Sequence, residues 1–397
     1  MFVEALELFK IMMVNPFVKP DNYTYPSVLK ACGGLGRIND GKMLHAHLTK
    51  AGILSSDVVV TSSLVGAYAK CTMFNYAIQL FDEMLERDVA CWNTVITCFY
   101  QDGQCEKALE MFDEMKKAGF EPDSVTFTTV LSACARLLDL ERGKTIHGEL
   151  MRSDLLYDDF VCSALVDMYG KCRCLEMAKA VFERMPQKSV VSWNSMVAGY
   201  SLQGDSVSCI DLFRRLIVQG VKPTLTTLSS LLVACSRSAD LRRGKFVHGY
   251  IVRNNVEPDI FIGTTLIDLY HKCYCVQSAD RVFEKMPKTN VVVWNVMISG
   301  YVTLGHYFEA FELFTEMRNV GVRPDAITLT SILTACSQLG TLGQGKEIHR
   351  SYIEGKLDSN EIVMGALLDM IYVFVIGSLS SIKSCDYYSG HAGETSH

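Results

Sequence analysis

All three tryptophans of this 397-residue chain are followed by asparagine, and they stand at equal intervals. They are Trp92-Asn93, Trp193-Asn194 and Trp294-Asn295, two steps of 101 residues. A second series keeps the beat: Gly41-Lys42 with His45, Gly143-Lys144 with His147, Gly244-Lys245 with His248, and Gly345-Lys346 with His349. A fixed internal period specifies a repeat architecture. The chain is an array.

Each 101-residue block divides into three shorter repeats. One type spans 89–123, 190–224 and 291–325, and the next spans 124–158, 225–259 and 326–360, all of 35 residues. The third spans 159–189 and 260–290, with 31 residues each. In front, 22–57 is a 36-residue version of the second type and 58–88 a 31-residue version of the third. Ten repeats therefore cover 22–360. Residues 1–21 form the back half of another, and 361–370 start one more. Residues 371–397 leave the pattern. Ile371–Ile376 is too short to span a membrane, and Ser378–His397, polar and rich in Gly and Ser, is expected to be disordered. No signal or transit peptide is visible, and we expect a chain truncated at both ends.

Each repeat reads as two helices. In 89–123, Trp92, Val95, Ile96 and Tyr100 precede Gly103, and Ala108, Leu109, Met111, Phe112 and Met115 precede Gly119. Those spacings follow a 3.6-residue period, and Gly119 with Pro122 supplies a stop and a turn. Helix pairs of this size bury their apolar faces only by stacking. The expected fold is all-α, a right-handed superhelical solenoid of helix-turn-helix repeats.

Composition agrees with a packed solenoid, at 49% hydrophobic residues. The net charge of −6 does not advertise a nucleic-acid binder, although a groove can be locally basic on an acidic protein. Cys32, Cys134, Cys235 and Cys336 each follow an alanine inside a helix. They read as small packing residues in a reducing compartment rather than a disulfide framework.

Motifs for catalysis or metals are weak. The Gly-Lys-x-x-His sets lack the glycine spacing and the Ser/Thr of a phosphate loop and point to packing at a helix boundary. Cys172/Cys174 and Cys273/Cys275 have C-x-C spacing, which is not a zinc pattern. His147-Gly148-Glu149 resembles half of a zinc-deaminase motif, but no P-C-x-x-C follows. No catalytic residue, metal or cofactor is expected.

Two families build arrays from such helix pairs. Tetratricopeptide repeats keep a period of about 34 residues, which the 35-35-31 cycle departs from. The pattern instead resembles the pentatricopeptide repeat family, in the plant subclass that alternates P, L and S repeats. Trp92-Asn93-Thr94-Val95-Ile96 and its two sisters look like the P-type opening. Val130-Leu131-Ser132-Ala133-Cys134 with Gly143-Lys144-Thr145-Ile146-His147 looks L-type. Ala164 to Cys172 followed by Val181-Phe182-Glu183-Arg184-Met185-Pro186 looks S-type. The likeness covers nearly all of residues 1–370.

The resemblance implies sequence-specific binding of single-stranded organelle RNA, one nucleotide per repeat. It also implies location in a mitochondrion or chloroplast, with service in RNA processing such as C-to-U editing. An editing deaminase or accessory factor would be a partner, and no membrane is implied. In the family the fifth and last residues of a repeat choose the base. A terminal Asp can accept the ring N–H of uracil or guanine, whereas a terminal Asn can donate to the bare ring nitrogen of cytosine or adenine. Asn at the fifth position suits a pyrimidine, and Ser or Thr leaves room for a purine. Ser62 with Asp88 then suggests G, and Asn93 with Asp123 and Asn295 with Asp325 suggest U. Thr264 with Asn290 suggests A, and Asn194 with Thr224 a pyrimidine, while Ser163 with Ser189 gives no letter. The L-type pairs stay open. The ten repeats spell 5′-n-G-U-n-n-Y-n-A-U-n-3′. Second residues Val59, Ala90, Phe160, Val191, Phe261 and Val292 would wedge between bases.

Simpler roles compete with some of these. The tryptophans are expected in the core. The asparagines after them, polar among apolar neighbours, are expected to read rather than to cap. For the terminal aspartates, readout and ordinary helix capping stand side by side. A protein-binding scaffold and an unstable fragment remain as alternatives to the RNA reader.

Overall fold

The computed structural model describes residues 2–15, 17–21, 23–54, 57–350 and 361–372. Among these residues every regular element is a helix. The chain forms two compact halves, the first ending at Gly199 and the second starting at Tyr200.

The first half opens with α1 (Phe2–Val14), α2 (Thr24–Leu35), α3 (Ile38–Lys50), α4 (Val58–Lys70) and α5 (Phe74–Glu83). It continues with α6 (Val89–Gln101), α7 (Cys105–Lys117), α8 (Ser124–Leu137) and α9 (Leu140–Leu150). A short 3-10 turn at Asp154–Tyr157, which the sequence does not announce, leads to α10 (Asp159–Lys171) and α11 (Leu175–Arg184). The division at Gly199 falls within α12 (Val190–Gln203). The second half holds α13 (Ser206–Val218), α14 (Leu225–Arg237), α15 (Leu241–Arg253), α16 (Ile260–Lys272) and α17 (Val276–Lys285). Then come α18 (Val291–Thr303), α19 (Tyr307–Asn319), α20 (Ala326–Leu339), α21 (Leu342–Ile348) and α22 (361–372). Residues 351–360, which close the last L-type repeat, and 373–397, most of the non-repeat tail, lie outside the described residues. So does the disorder expected of 378–397.

The repeat at 89–123 shows why the sequence folds this way. Asp88 accepts the Cys91 N–H and starts α6. Gly103 and Gly119, both at φ +83°, let the chain turn after α6 and after α7. Trp92, Val95, Ile96 and Phe99 on α6 are buried with Ala108, Leu109, Phe112 and Met115 on α7. Burying Phe112 alone contributes about 1.5–3 kcal/mol. All three tryptophans are core residues, each edge-on to a phenylalanine of the preceding repeat: Phe81–Trp92 at 4.8 Å, Phe182–Trp193 at 4.7 Å, Phe283–Trp294 at 5.2 Å.

Stacking follows one rule in both halves. The first helix of a repeat packs on the first helix of the next: α2 on α4, α4 on α6, α6 on α8 and α8 on α10, then α14 on α16, α16 on α18 and α18 on α20. The second helix bridges forward, as α7 does to α8 and α19 to α20. First helices approach so closely that Gly170 sits backbone-to-backbone against Gly199. In the second half His271 takes the place of Gly170, and its imidazole lies against Gly300.

Candidate functional site

The fifth and last residues of a repeat start far apart in sequence, on a first helix and just after a second one. Three of the expected pairs meet. Asn93 Nδ2 donates to Asp123 Oδ2 at 2.8 Å, and Asn295 Nδ2 donates to Asp325 at 2.9 Å to either oxygen. Ser62 Oγ donates to Asp88 Oδ1 at 3.3 Å. Asn295 is 5% exposed, so its amide is held within the array rather than free in solvent.

The same carboxylates cap the next repeat's first helix. Asp123 Oδ1 accepts the Thr126 N–H at 2.9 Å, and Asp325 Oδ1 the Thr328 N–H at 3.0 Å. In both, the threonine hydroxyl accepts the aspartate's own N–H, which completes a capping box. Capping extends to closing residues other than aspartate. Asn290 accepts from Val292 N–H at 2.8 Å and Ser189 from Ser192 N–H at 3.3 Å. Thr224 caps α14 through Thr227 N–H. Of the two roles set beside each other for these aspartates, capping is seen, and the same carboxylate also holds the asparagine of its own repeat.

Other expected pairs do not meet. Ser163 donates its hydroxyl to the Asp159 carbonyl at 2.7 Å, and Thr264 donates to the Ile260 carbonyl at 2.8 Å. Neither bonds to its terminal partner, Ser189 or Asn290. A hydroxyl has one proton, and here the helix's own backbone holds it. Three of the four L-type fifth residues behave alike: Thr128 donates to the Ser124 carbonyl, Ser229 to that of Thr226 and Thr330 to that of Ala326, whereas the fourth, Pro26, has no hydroxyl. Asn194 is half-buried on α12 in the first half, and Thr224 belongs to the second.

Three residues before every fifth position except Ser229, where Thr226 stands, and one turn along the same helix face, is an apolar side chain with no core to enter. Phe160 is 76% exposed, and Val59, Ala90, Val191, Phe261 and Val292 are exposed as well. The row has members that sequence reasoning missed. Tyr23, Val125 and Ile327 hold the equivalent place in L-type repeats, and Ile362 starts α22 likewise, all of them exposed. Their signal was the second position itself, which the L-type repeats share.

The Gly-Lys-x-x-His sets pack as the sequence suggests. Gly143 lies under the Met168 side chain and Gly244 under Leu269, where a Cβ would not fit. The histidine meets the next repeat's tyrosine, as His147 Nδ1 does Tyr169 Oη at 2.8 Å. Among the described residues no group of His, Cys, Asp or Glu could hold a metal ion, and no helix is long and apolar enough to cross a membrane.

Stacked helix pairs with polar pairs at three repeat junctions and exposed apolar residues at the second positions define a helical-repeat array. The chain belongs to the pentatricopeptide repeat family. The PPR repeat family profile matches 87–136 and 289–338, and the PPR repeat profile matches 59–89, 125–155, 160–190, 191–221 and 264–291. A pentatricopeptide repeat-containing protein of Arabidopsis thaliana is 52% identical over 370 residues, covering 93% of this chain and 53% of its own length. A chloroplastic relative from the same plant is 34% identical (93% and 42% covered), and a mitochondrial one 35% identical (93% and 56% covered). The chain thus spans about half the length of the curated relatives it matches. In fold it is similar to the pentatricopeptide repeat protein PPR10 in complex with an 18-nt psaJ RNA element. That match has a TM-score of 0.67 at 19% identity, over 87% of this chain and 57% of that one.

Proposed function

We propose that the chain binds single-stranded RNA sequence-specifically, one nucleotide per repeat, as a specificity factor in organelle RNA processing such as C-to-U editing. The carrying observation is the Asn–Asp pair at 93/123 and 295/325. Asp123 Oδ2 accepts one hydrogen from Asn93, and a second lone pair is left over. Asn93 Nδ2 likewise has a second hydrogen to give. An acceptor and a donor side by side complement the N3–H and a carbonyl of uracil. Cytosine would set its bare N3 against a carboxylate, which costs an unmade hydrogen bond and repulsion. The exposed second-position residues supply apolar walls between bases.

The 35-35-31 cycle fits the P, L and S subclass, and the names of the chloroplastic and mitochondrial relatives support location in one of those organelles. We assign the chain no catalytic step. An editing deaminase or accessory factor would act beside it.

The test is a gel shift of the full chain with 5′-n-G-U-n-n-Y-n-A-U-n-3′ against the same RNA with G and U exchanged, at one fixed salt concentration. Preference of about tenfold or more, near 1.4 kcal/mol, is expected. Equal binding would reduce the protein to a backbone binder. No binding by the folded protein would favour a protein-binding scaffold.

A further inference from the structure

The Asn–Asp pair has a third member, supplied by the following repeat. Thr126, the third residue of α8, donates its hydroxyl to Asn93 Oδ1 at 2.5 Å. Thr328, the third residue of α20, does the same to Asn295 Oδ1 at 2.5 Å. Both threonines have no exposed surface. Each hydroxyl oxygen also takes the aspartate's backbone N–H at 3.1 Å, so its surroundings are fixed from two sides. The aspartate Oδ1 lies 3.0 Å away and is a second acceptor for the proton. The nearer amide oxygen takes it, because two bare oxygens at 2.5 Å would repel.

The consequence falls on the amide. With its oxygen held by threonine and one N–H held by aspartate, the amide's orientation is fixed and its one remaining donor is the second N–H. Turned over, the same side chain would present an oxygen. An outward N–H suits the carbonyl of uracil, and an outward oxygen suits the exocyclic amine of cytosine.

We infer that Thr126 and Thr328 are specificity-determining positioning residues. Each locks the asparagine of the preceding repeat in the orientation that selects uracil, so the letter read by one repeat depends on a residue of the next. This rests on the base-reading function proposed above. The P-type repeat between these two, 190–224, is followed by a threonine at the same place, Thr227.

The experiment compares the full chain with Thr126→Val, Thr328→Val and the corresponding serine variants. Each is titrated with the ten-nucleotide RNA carrying U or C at the third or the ninth position. The parent chain prefers U at both. Thr126→Val lowers the U-over-C preference about three- to tenfold at the third position and leaves the ninth unchanged; Thr328→Val does the reverse. The serine variants, which keep the hydroxyl, keep both preferences. Misfolding would move both positions together, and a loss of that kind in either valine variant would overturn the local role. Full preference in both valine variants, or lost preference in folded serine variants, would also overturn it and leave base reading intact. A parent chain without any U-over-C preference would instead sink the base-reading proposal.

Discussion

His147 Nδ1 stands 2.8 Å from the hydroxyl of Tyr169, joining an L-type second helix to an S-type first helix. The pair is rebuilt at His45–Tyr68, 3.0 Å, and at His248–Tyr270, 2.7 Å. Burial pushes the Tyr169 hydroxyl up to about 12, so it stays protonated and donates, and the neutral imidazole accepts. Burial also holds all three histidines below their ordinary value, aided by Arg184 beside His147 and Lys285 beside His248.

These pairs make stability depend on pH. The unfolded chain takes up protons at its histidines as pH falls through about 6.5, and the folded chain resists until lower pH. Stability is therefore complete above about 6.5 and is lost as pH falls below it. Thermal melts from pH 7.5 to 5.5 should show a falling Tm. His147→Gln, which can still accept from Tyr169 without titrating, should make the fall shallower. An identical profile for the variant would remove His147 from the account.

Gly300 is required by His271. A Cβ at 300 would collide with the imidazole Nδ1. Gly300→Ala should cost about 1–3 kcal/mol in a urea melt, and adding His271→Ala should recover most of it. If the double variant is no more stable than Gly300→Ala, the collision is not the cause.

Leu138 follows α8 at φ +57°, where Gly36 after α2 and Gly340 after α20 have φ of +64° and +66°. A leucine in the left-handed region carries a steric penalty that glycine lacks, and this side chain is largely exposed. Leu138→Gly should raise stability by about 0.5–1 kcal/mol. Calorimetry showing a lower Tm would mean that the leucine packs more than its exposure suggests.

The thiols should divide into two sets. Cys91, Cys98, Cys134 and Cys235 are buried, and desolvation pushes each up to about 12. Cys172, Cys174, Cys273 and Cys275 are half-buried, and none of these eight is in a disulfide. Iodoacetamide at neutral pH should label the second set at least about tenfold faster, because only thiolate reacts. Mass spectrometry that finds Cys98 labelled as quickly as Cys172 would contradict the packing described.

The helix pairs were legible because their apolar spacing and their glycine stops are local signals. Trp92 and Asn93 show it together: adjacent residues 100° apart on a helix, one driven into the core and the other left at its edge. What lay beyond the sequence was geometry between repeats. Tyr169 recurs every 101 residues and His147 at steps of 102, 101 and 101, yet nothing in either series says that the two rings meet. Thr126 looked like an ordinary third residue of a helix, because its bond to Asn93 crosses 33 positions of chain. Ser163 and Thr264 hold reader positions in sequence, but the preceding turn of their own helix takes the hydroxyl proton, a competition that residue identity does not reveal.

The shared carboxylate limits the alphabet available to such a protein. A residue that closes one repeat must also cap the next helix, and only Asp, Asn, Ser, Thr and Gly do this well. The closing residues here are drawn from that set throughout: Asp57, Asp88, Asp123, Asp158, Ser189, Thr224, Asp259, Asn290, Asp325 and Asn360. Under the proposed base reading, a preference that called for a bulky or aliphatic side chain at this place would cost the next repeat's first helix about 0.5–2 kcal/mol. The vocabulary of the array is bounded by helix capping before it is bounded by the chemistry of any ligand.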